Sequence, residues 1–467
     1  MRTQMRKWWQ LIWSKKKTVS YLLFGVILAA LIGAWFMQAS SQAPPPTEAT
    51  KPAPIPSPSK ITVLVAGGDE SPLGGPFVTN ENSGLSLGPN ALNDAGELVF
   101  YNSIASFVTA VDANTSYISQ QGIFRKVGNT ISKIVVSGDP APGGGEFFEL
   151  FSPVANQVGD VAFVARVKTG SKDGGFSEGV FLVSEGKISL ITTLPNPDLW
   201  SYVSVTPALN NNGEVVLKLP VADDVHHQEI VRVVSGVRSK TVGEEDIKAD
   251  LAQQWPSIAD GSPLAVNDAG DVVVRADGPQ AKILLIPRGQ KPVTVVTVGD
   301  LAPGGGTYLG VGLSTINNRR EIAFGGLIDV QQETSLGAIT LASGGQFIPI
   351  VREGDPAPTG EIFTVVAGAF SLNDRGDVIF VAGTSGKPRM IGGLFPVSGG
   401  ILLYSQGQIR TVMLIGDPSP LGGVFLGMGS PVLNNTGLVA FDSSIDTDGD
   451  NNPNNRGIFA VDMGPRA

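Results

Sequence analysis

The chain has 467 residues, no cysteine, two histidines, and 42 acidic against 33 basic side chains, for a net charge of −9. Without cysteine it has no disulfide, no thiol nucleophile and no Cys-based metal centre. The first 17 residues carry six positive charges and no acid, leaving −15 for the remainder, and an acidic body without a basic stripe is a poor partner for nucleic acid or anionic lipid.

Residues 1–17 include Arg2, Arg6, Lys7, Lys15, Lys16 and Lys17, and the segment 18–37 that follows is uncharged and mostly apolar from Tyr21 onward. A span needs about 17–25 such residues, whereas a cleaved leader core needs about 7–15. This predicts an uncleaved signal anchor at 18–37, with the basic flank in the cytoplasm and the bulk of the chain outside. The alternative is a leader cleaved near Ala39–Ala43, which would make the protein secreted. Residues 38–59 contain Pro44, Pro45, Pro46, Pro52, Pro54, Pro56 and Pro58 and read as an extended linker, roughly 3.1 Å per residue.

From residue 60 on, one signal recurs. Asn93-Asp94-Ala95-Gly96 has relatives starting at Asn156, Asn210, Asn267, Asn317, Asn373 and Asn434, spaced 63, 54, 57, 50, 56 and 61 residues apart. Asn bonds local backbone and Gly takes positive φ, so each is read as turn chemistry within a hairpin. In the fifth copy Arg320 stands where Gly is expected, which predicts a different turn type there.

Around the turn a four-strand unit emerges. In the second copy strand a covers about 147–154, strand b 160–167, strand c Gly179–Val183 and strand d Ile188–Ile191. A Gly-apolar-Phe start to strand c recurs at Gly122, Gly393 and Gly457. No helical period of useful length follows residue 60. Four short strands at this period predict an all-β, seven-bladed β-propeller of four-stranded antiparallel blades. Repeat boundaries fall near 67–137, 138–194, 195–251, 252–298, 299–353, 354–415 and 416–467, and the orphan strand at 60–66 is expected to complete the last blade.

The motif Asn-x-x-Gly followed by Val-Ala-Phe, complete at Asn156–Phe163 and Asn434–Phe441, resembles the bacterial tandem-repeat family of choice-of-anchor proteins with an Asn-x-x-Gly-x-x-Ala-Phe motif. The resemblance covers residues 60–467 and implies an exported, envelope-held protein. It implies no catalytic residue.

Candidate chemistry follows from blade topology. The d–a loops carry Gly-Asp-x-x-Pro with Asp69, Asp139, Asp300, Asp355 and Asp417, and share a face with the b–c insertions at 168–178 and 446–456. These carboxylates are either a ligand-binding face or caps of their own loops. Asp446, Asp448, Asp450 and Asn452, with Gly449 between them, have the alternate oxygens of a Ca²⁺ loop, although no Glu follows as in an EF-hand; the alternative is a solvated polar loop. His226 and His227 are open to a metal or base role, or to a polar b–c loop. Gly143-Gly144-Gly145 precedes a strand, so no phosphate cradle is expected.

The functional expectation is a membrane-anchored, extracytoplasmic propeller that binds or scaffolds a protein or glycan. Two alternatives are an extracytoplasmic, carboxylate-dependent hydrolase or lyase on polysaccharide or lactone, assisted by Ca²⁺, and a structural envelope protein that self-associates.

Overall fold

The computed structural model describes residues 60–77, 85–104, 120–151, 153–170, 175–194, 206–221, 224–243, 257–258, 264–277, 280–329, 335–391 and 395–464. The expected anchor at 18–37 and linker at 38–59 lie outside them. Among the described residues there is no helix, and none long and apolar enough to cross a membrane.

The strands form seven antiparallel blades, the architecture of a β-propeller. In blade 2, strand a is Glu146–Leu150 with Val154–Ala155, and Val161–Lys168, Phe176–Ser184 and Lys187–Thr193 are b, c and d. Blade 5 is the most regular: Thr307–Ile316, Ile322–Asp329, Ser335–Ser343 and Gln346–Arg352. In blade 1 the strands Leu98–Ile104, Gln120–Val127 and Thr130–Val136 are joined on the inner side through the bridges Ser86↔Tyr101 and Leu92↔Leu98. Blade 7 contains Leu438–Asp446 and Asn455–Asp462, and Thr62–Ala66 lies antiparallel on the latter, with Thr62 opposite Ala460 and Ala66 opposite Gly457.

The core is divided among the interfaces between blades. Seven apolar clusters each draw on two consecutive blades, including one joining Phe100 and Phe124 of blade 1 to Ala440 and Ile458 of blade 7. Seven small cores let a body of about 400 residues exceed the size at which one core stops growing. Within a blade, phenyl rings from a, b and c meet: Phe147, Phe163 and Phe181 in blade 2, Phe425, Phe441 and Phe459 in blade 7.

This packing explains the Gly-apolar-Phe motif. A Cβ on Gly122 would lie 2.4 Å from the ring of Phe124, and one on Gly457 2.8 Å from that of Phe459, so the ring covers the glycine two residues before it. Gly393 lies outside the described residues. Phe395 lies in a hairpin, Arg389–Ile391 with Phe395–Val397, inserted between strand b (Val378–Thr384) and strand c (Gly399–Ser405) of blade 6.

Three other expectations change. Strand a of blade 2 breaks into two pieces. Arg320 keeps the same turn as its relatives, at φ 61° with its amide on the Asn317 carbonyl. His226 and His227 belong to strand c of blade 3, Asp224–Val234, and not to a loop.

Candidate functional site

Each a–b turn has the same local wiring. The Asn side-chain oxygen accepts the amide four residues on, as from Glu97 to Asn93 and from Asp160 to Asn156, both at 2.8 Å. Its side-chain nitrogen donates to the carboxylate at that fifth position: Glu97, Asp160, Glu214, Asp271, Glu321 and Asp377. In the seventh copy Leu438 stands there and supplies only its amide.

The same nitrogen also reaches the next blade. Asn156 donates to the Asn210 carbonyl, Asn210 to Asn267, Asn267 to Asn317, Asn317 to Asn373 and Asn373 to Asn434. Asn434 then donates to the Asn93 carbonyl at 2.9 Å across 341 residues of chain, and Asn93 donates to Gln157. All seven Asn are buried.

A second circuit runs beside the first. The second-position amides of Asp94, Gln157, Asn211, Asp268, Asn318, Asp374 and Asn435 each donate to the second-position side chain of the following blade. The turns therefore form a hub in which every blade is tied to the next. Reading the Asn residues as local turn formers alone understated them, because turn propensity describes one chain segment and these bonds span 50–64 residues between successive blades and 341 where the last meets the first. The recurrent acid four residues after Asn was the signal available in the sequence.

Arginines neutralise the outer acids of the hub. Glu214 is held between Arg232 and Arg288, at 2.8 and 2.6 Å. The fully buried Asp271 takes Arg320 at 2.6 Å, which supplies a reason for a non-glycine residue at that left-handed position. Burial pushes the Asp271 carboxyl upward, but hydrogen bonds from Arg320, Asn267 and the Arg288 amide outweigh it and hold it below its ordinary range. Burial acts the same way on Glu321, and Asn317, Arg319 and Ser343 again overcome it.

At the axis the hub encloses about 80 Å³, room for two or three waters. Below the polar rim the lining turns apolar, with Leu92, Leu209, Val266, Ile316, Leu372 and Leu433 from the residues just before each Asn. A larger groove of about 670 Å³ lies toward the rim of the same face, among turns of blades 1–3, and mixes Arg125 and Lys133 with Asp160 and Glu185.

On the opposite face the five d–a loops share one design. In each, the Asp carboxylate accepts the amide three residues earlier: Ala66 to Asp69, Val136 to Asp139, Thr297 to Asp300, Arg352 to Asp355 and Leu414 to Asp417, at 2.7–2.9 Å. The preceding glycine amide and the Asp carbonyl then clamp an aromatic residue, as Gly138 and Asp139 do Phe147 and as Gly299 and Asp300 do Tyr308. These carboxylates stay in separate loops, and each helps set a core ring in place.

The carboxylates of Asp446, Asp448 and Asp450 do converge, with one oxygen from each within 4.8 Å of the others. Asp446 is the buried last residue of strand b and accepts the amides of Gly449 at 2.6 Å and Asn451 at 3.0 Å. Burial works to raise its carboxyl, and these bonds lower it on balance. Asn452 donates its amide and its side-chain nitrogen to Asp450. Nearby on strand b, Asp442 pairs with Arg456, yet burial keeps its carboxyl above the ordinary range. Of His226 and His227 only the backbone position is described.

Comparison with solved structures returns matches at low identity. The β-propeller domain of the trilobed protease from Pyrococcus furiosus matches at 10% identity and TM-score 0.47, over 81% of this chain and 96% of that one. A puromycin-hydrolysing peptidase of Mycobacterium tuberculosis matches at 9% identity and 0.42, over 78% and 58%. The polysaccharide lyase Uly1 matches at 10% identity and 0.41, over 82% and 91%. All three scores lie below 0.5, so the architecture here rests on the strand pairing itself. No curated protein matches the chain. Residues 92–465 match the family of unknown function DUF7453, and the chain belongs to that family.

Proposed function

We propose that this protein is a binding or scaffolding module, a propeller anchored in the cell membrane through residues 18–37 and displayed outside the cytoplasm to a protein or glycan ligand. The observation that carries this reading is the division of labour between the two faces. The centre of the turn face is consumed by its own hydrogen-bonded circuits. The loop face is built from self-contained loops whose sequence can vary without disturbing the ring. Each d–a carboxylate is engaged by its own loop, which favours a scaffold over an acid–base pair.

Three further elements belong to this reading. The basic, apolar and proline-rich order of residues 1–59, together with the resemblance to choice-of-anchor repeat proteins, supports display at the envelope. The strand Thr62–Ala66 acts as the clasp of blade 7, covering the edge of Asn455–Asp462. Asp446, Asp448, Asp450 and Asn452 hold Ca²⁺, which pins the b–c loop of blade 7 in a structural role.

Affinity capture from envelope extracts and a glycan array, both with the full chain, test the reading. Saturable retention of one protein or glycan class is expected. Turnover of a polysaccharide or lactone with no stable retention would overturn it in favour of an enzyme.

A further inference from the structure

Blade 2 departs from its siblings at the loop-face end of strands a, b and c. Phe148 and Phe176 are 45% and 39% exposed, whereas the core phenyl rings of the same blade, Phe147, Phe163 and Phe181, are buried. The two exposed rings touch each other, centroids 4.9 Å apart, and the Arg166 guanidinium lies 5.8 Å from the centroid of Phe176. Phe151, three residues on, is also 45% exposed.

Beside the rings runs a charged row across three paired strands. Arg166 on strand b bonds Glu149 on strand a and Glu178 on strand c, each at 2.9 Å. The fold does not require this row. The same register in blade 7 pairs Ser444 with Arg456, and in blade 5 Leu327 with Gly337.

We infer that this cluster is a glycan subsite, in which Phe148 and Phe176 stack on the apolar face of a neutral pyranose while Glu149 and Arg166 bond its hydroxyls and the buried Glu178 holds the guanidinium in place. The inference rests on the binding-module reading and names its site and ligand class. Two exposed rings in contact, edged by charged side chains, place apolar and polar surface side by side in one small patch. The three rings together expose roughly 250 Å² at most, well under the ~800 Å² per partner of a stable protein interface. A pyranose matches that size and also presents both an apolar face and a rim of donors and acceptors. The row carries two carboxylates and one guanidinium, and the whole chain is −9, which disfavours uronates, sulfated sugars and anionic headgroups.

The test is calorimetric titration of the full chain with cellohexaose, maltohexaose and chitohexaose, and with an oligogalacturonate as the charged control. At least one neutral hexasaccharide is expected to bind and the oligogalacturonate to bind more weakly. Phe148→Ala and Phe176→Ala should each raise Kd by roughly tenfold, the loss of one aromatic anchor, and Phe148→Trp should keep the affinity. Both rings are exposed, so the variants should melt as the parent does. Equal binding by parent and alanine variants would overturn this subsite and leave the binding module standing. Preference for oligogalacturonate, or binding of none of these sugars, would also overturn it. Failure of the full chain to capture any protein or glycan would overturn both.

Discussion

On the turn face each blade is bonded to the next, and on the loop face each loop is bonded to itself. The Asn210 side chain reaches Asn267 in another blade, while the Asp417 carboxylate takes the amide of Leu414, three residues back. Both devices satisfy buried backbone with a carboxamide or carboxylate, yet one couples neighbours and the other isolates them. A tandem fold thus gains a rigid hub and, opposite it, loops that can change one at a time. The charged row and exposed rings of blade 2 are an example of such local change.

This contrast can be broken at several points. The largest effect is expected from removing residues 1–66, which leaves the Asn455–Asp462 edge bare and opens the cluster of Ile61 and Val63 with Phe441 and Phe459. The truncated chain should aggregate or lose its cooperative melt, whereas removing residues 1–59 should not destabilise the propeller.

Next comes the hub against the loops. Asn210→Ala strands the Glu214 amide in a buried setting and removes the Asn210 donor from the Glu214 carboxylate and the Asn267 carbonyl, and should cost about 2–4 kcal/mol in denaturant titration. Asp417→Ala on the other face should cost about 1 kcal/mol. Equal costs, with exchange changes confined to one blade in both, would erase the distinction.

Acid should act on the hub. The Asp271 and Glu321 carboxyls are held below their ordinary values of 3.8 and 4.5. Their contribution is therefore complete above those values and is lost as pH falls through the lower folded values. Arg320→Gly relieves a left-handed backbone but leaves Asp271 without its guanidinium. It should lower Tm at pH 7 and lose that effect as pH falls below the ordinary carboxylate range, where Asp271 takes up its proton. A pH-independent difference would show that the pair contributes nothing.

The smallest effect is expected at the blade 7 loop. Calcium should raise Tm modestly over a chelator, and Asp448→Ala should remove the difference; superimposable melts of the parent would remove the ion.

Much of this fold was legible because its elements repeat. Seven Asn turns, the Phe of Val-Ala-Phe and the strand at 60–66 each leave a mark in one chain segment. The hub did not, since its bonds join residues at least 50 positions apart and turn statistics describe four at a time. The acids at Glu97, Asp160, Glu214, Asp271, Glu321 and Asp377 were visible as a pattern, but nothing local says what they bond. The strand c start of blade 6 and the His226-His227 pair were misplaced because the inserted hairpin carrying Phe395 reads like the start of a strand, while a polar strand extension reads like a loop. For the Gly-Asp loops the sequence left a ligand face and loop caps open together, and the bond from each carboxylate to the amide three residues earlier is too local to a single loop to be told from a ligand role in advance. The blade 2 rings carried no signal, because Phe148 and Phe147 differ only in which side of the strand they occupy.

The most direct test of the central claim is amide hydrogen exchange on the full chain, following Asp94, Gln157, Asn211, Asp268, Asn318, Asp374 and Asn435. These amides sit in turns, and most are partly exposed, yet the account predicts protection comparable to the core strands at all seven, with Asn434→Ala lowering it on both sides of the blade 7–blade 1 junction. Exchange at the rate of ordinary surface turns, or a loss confined to blade 7, would contradict it.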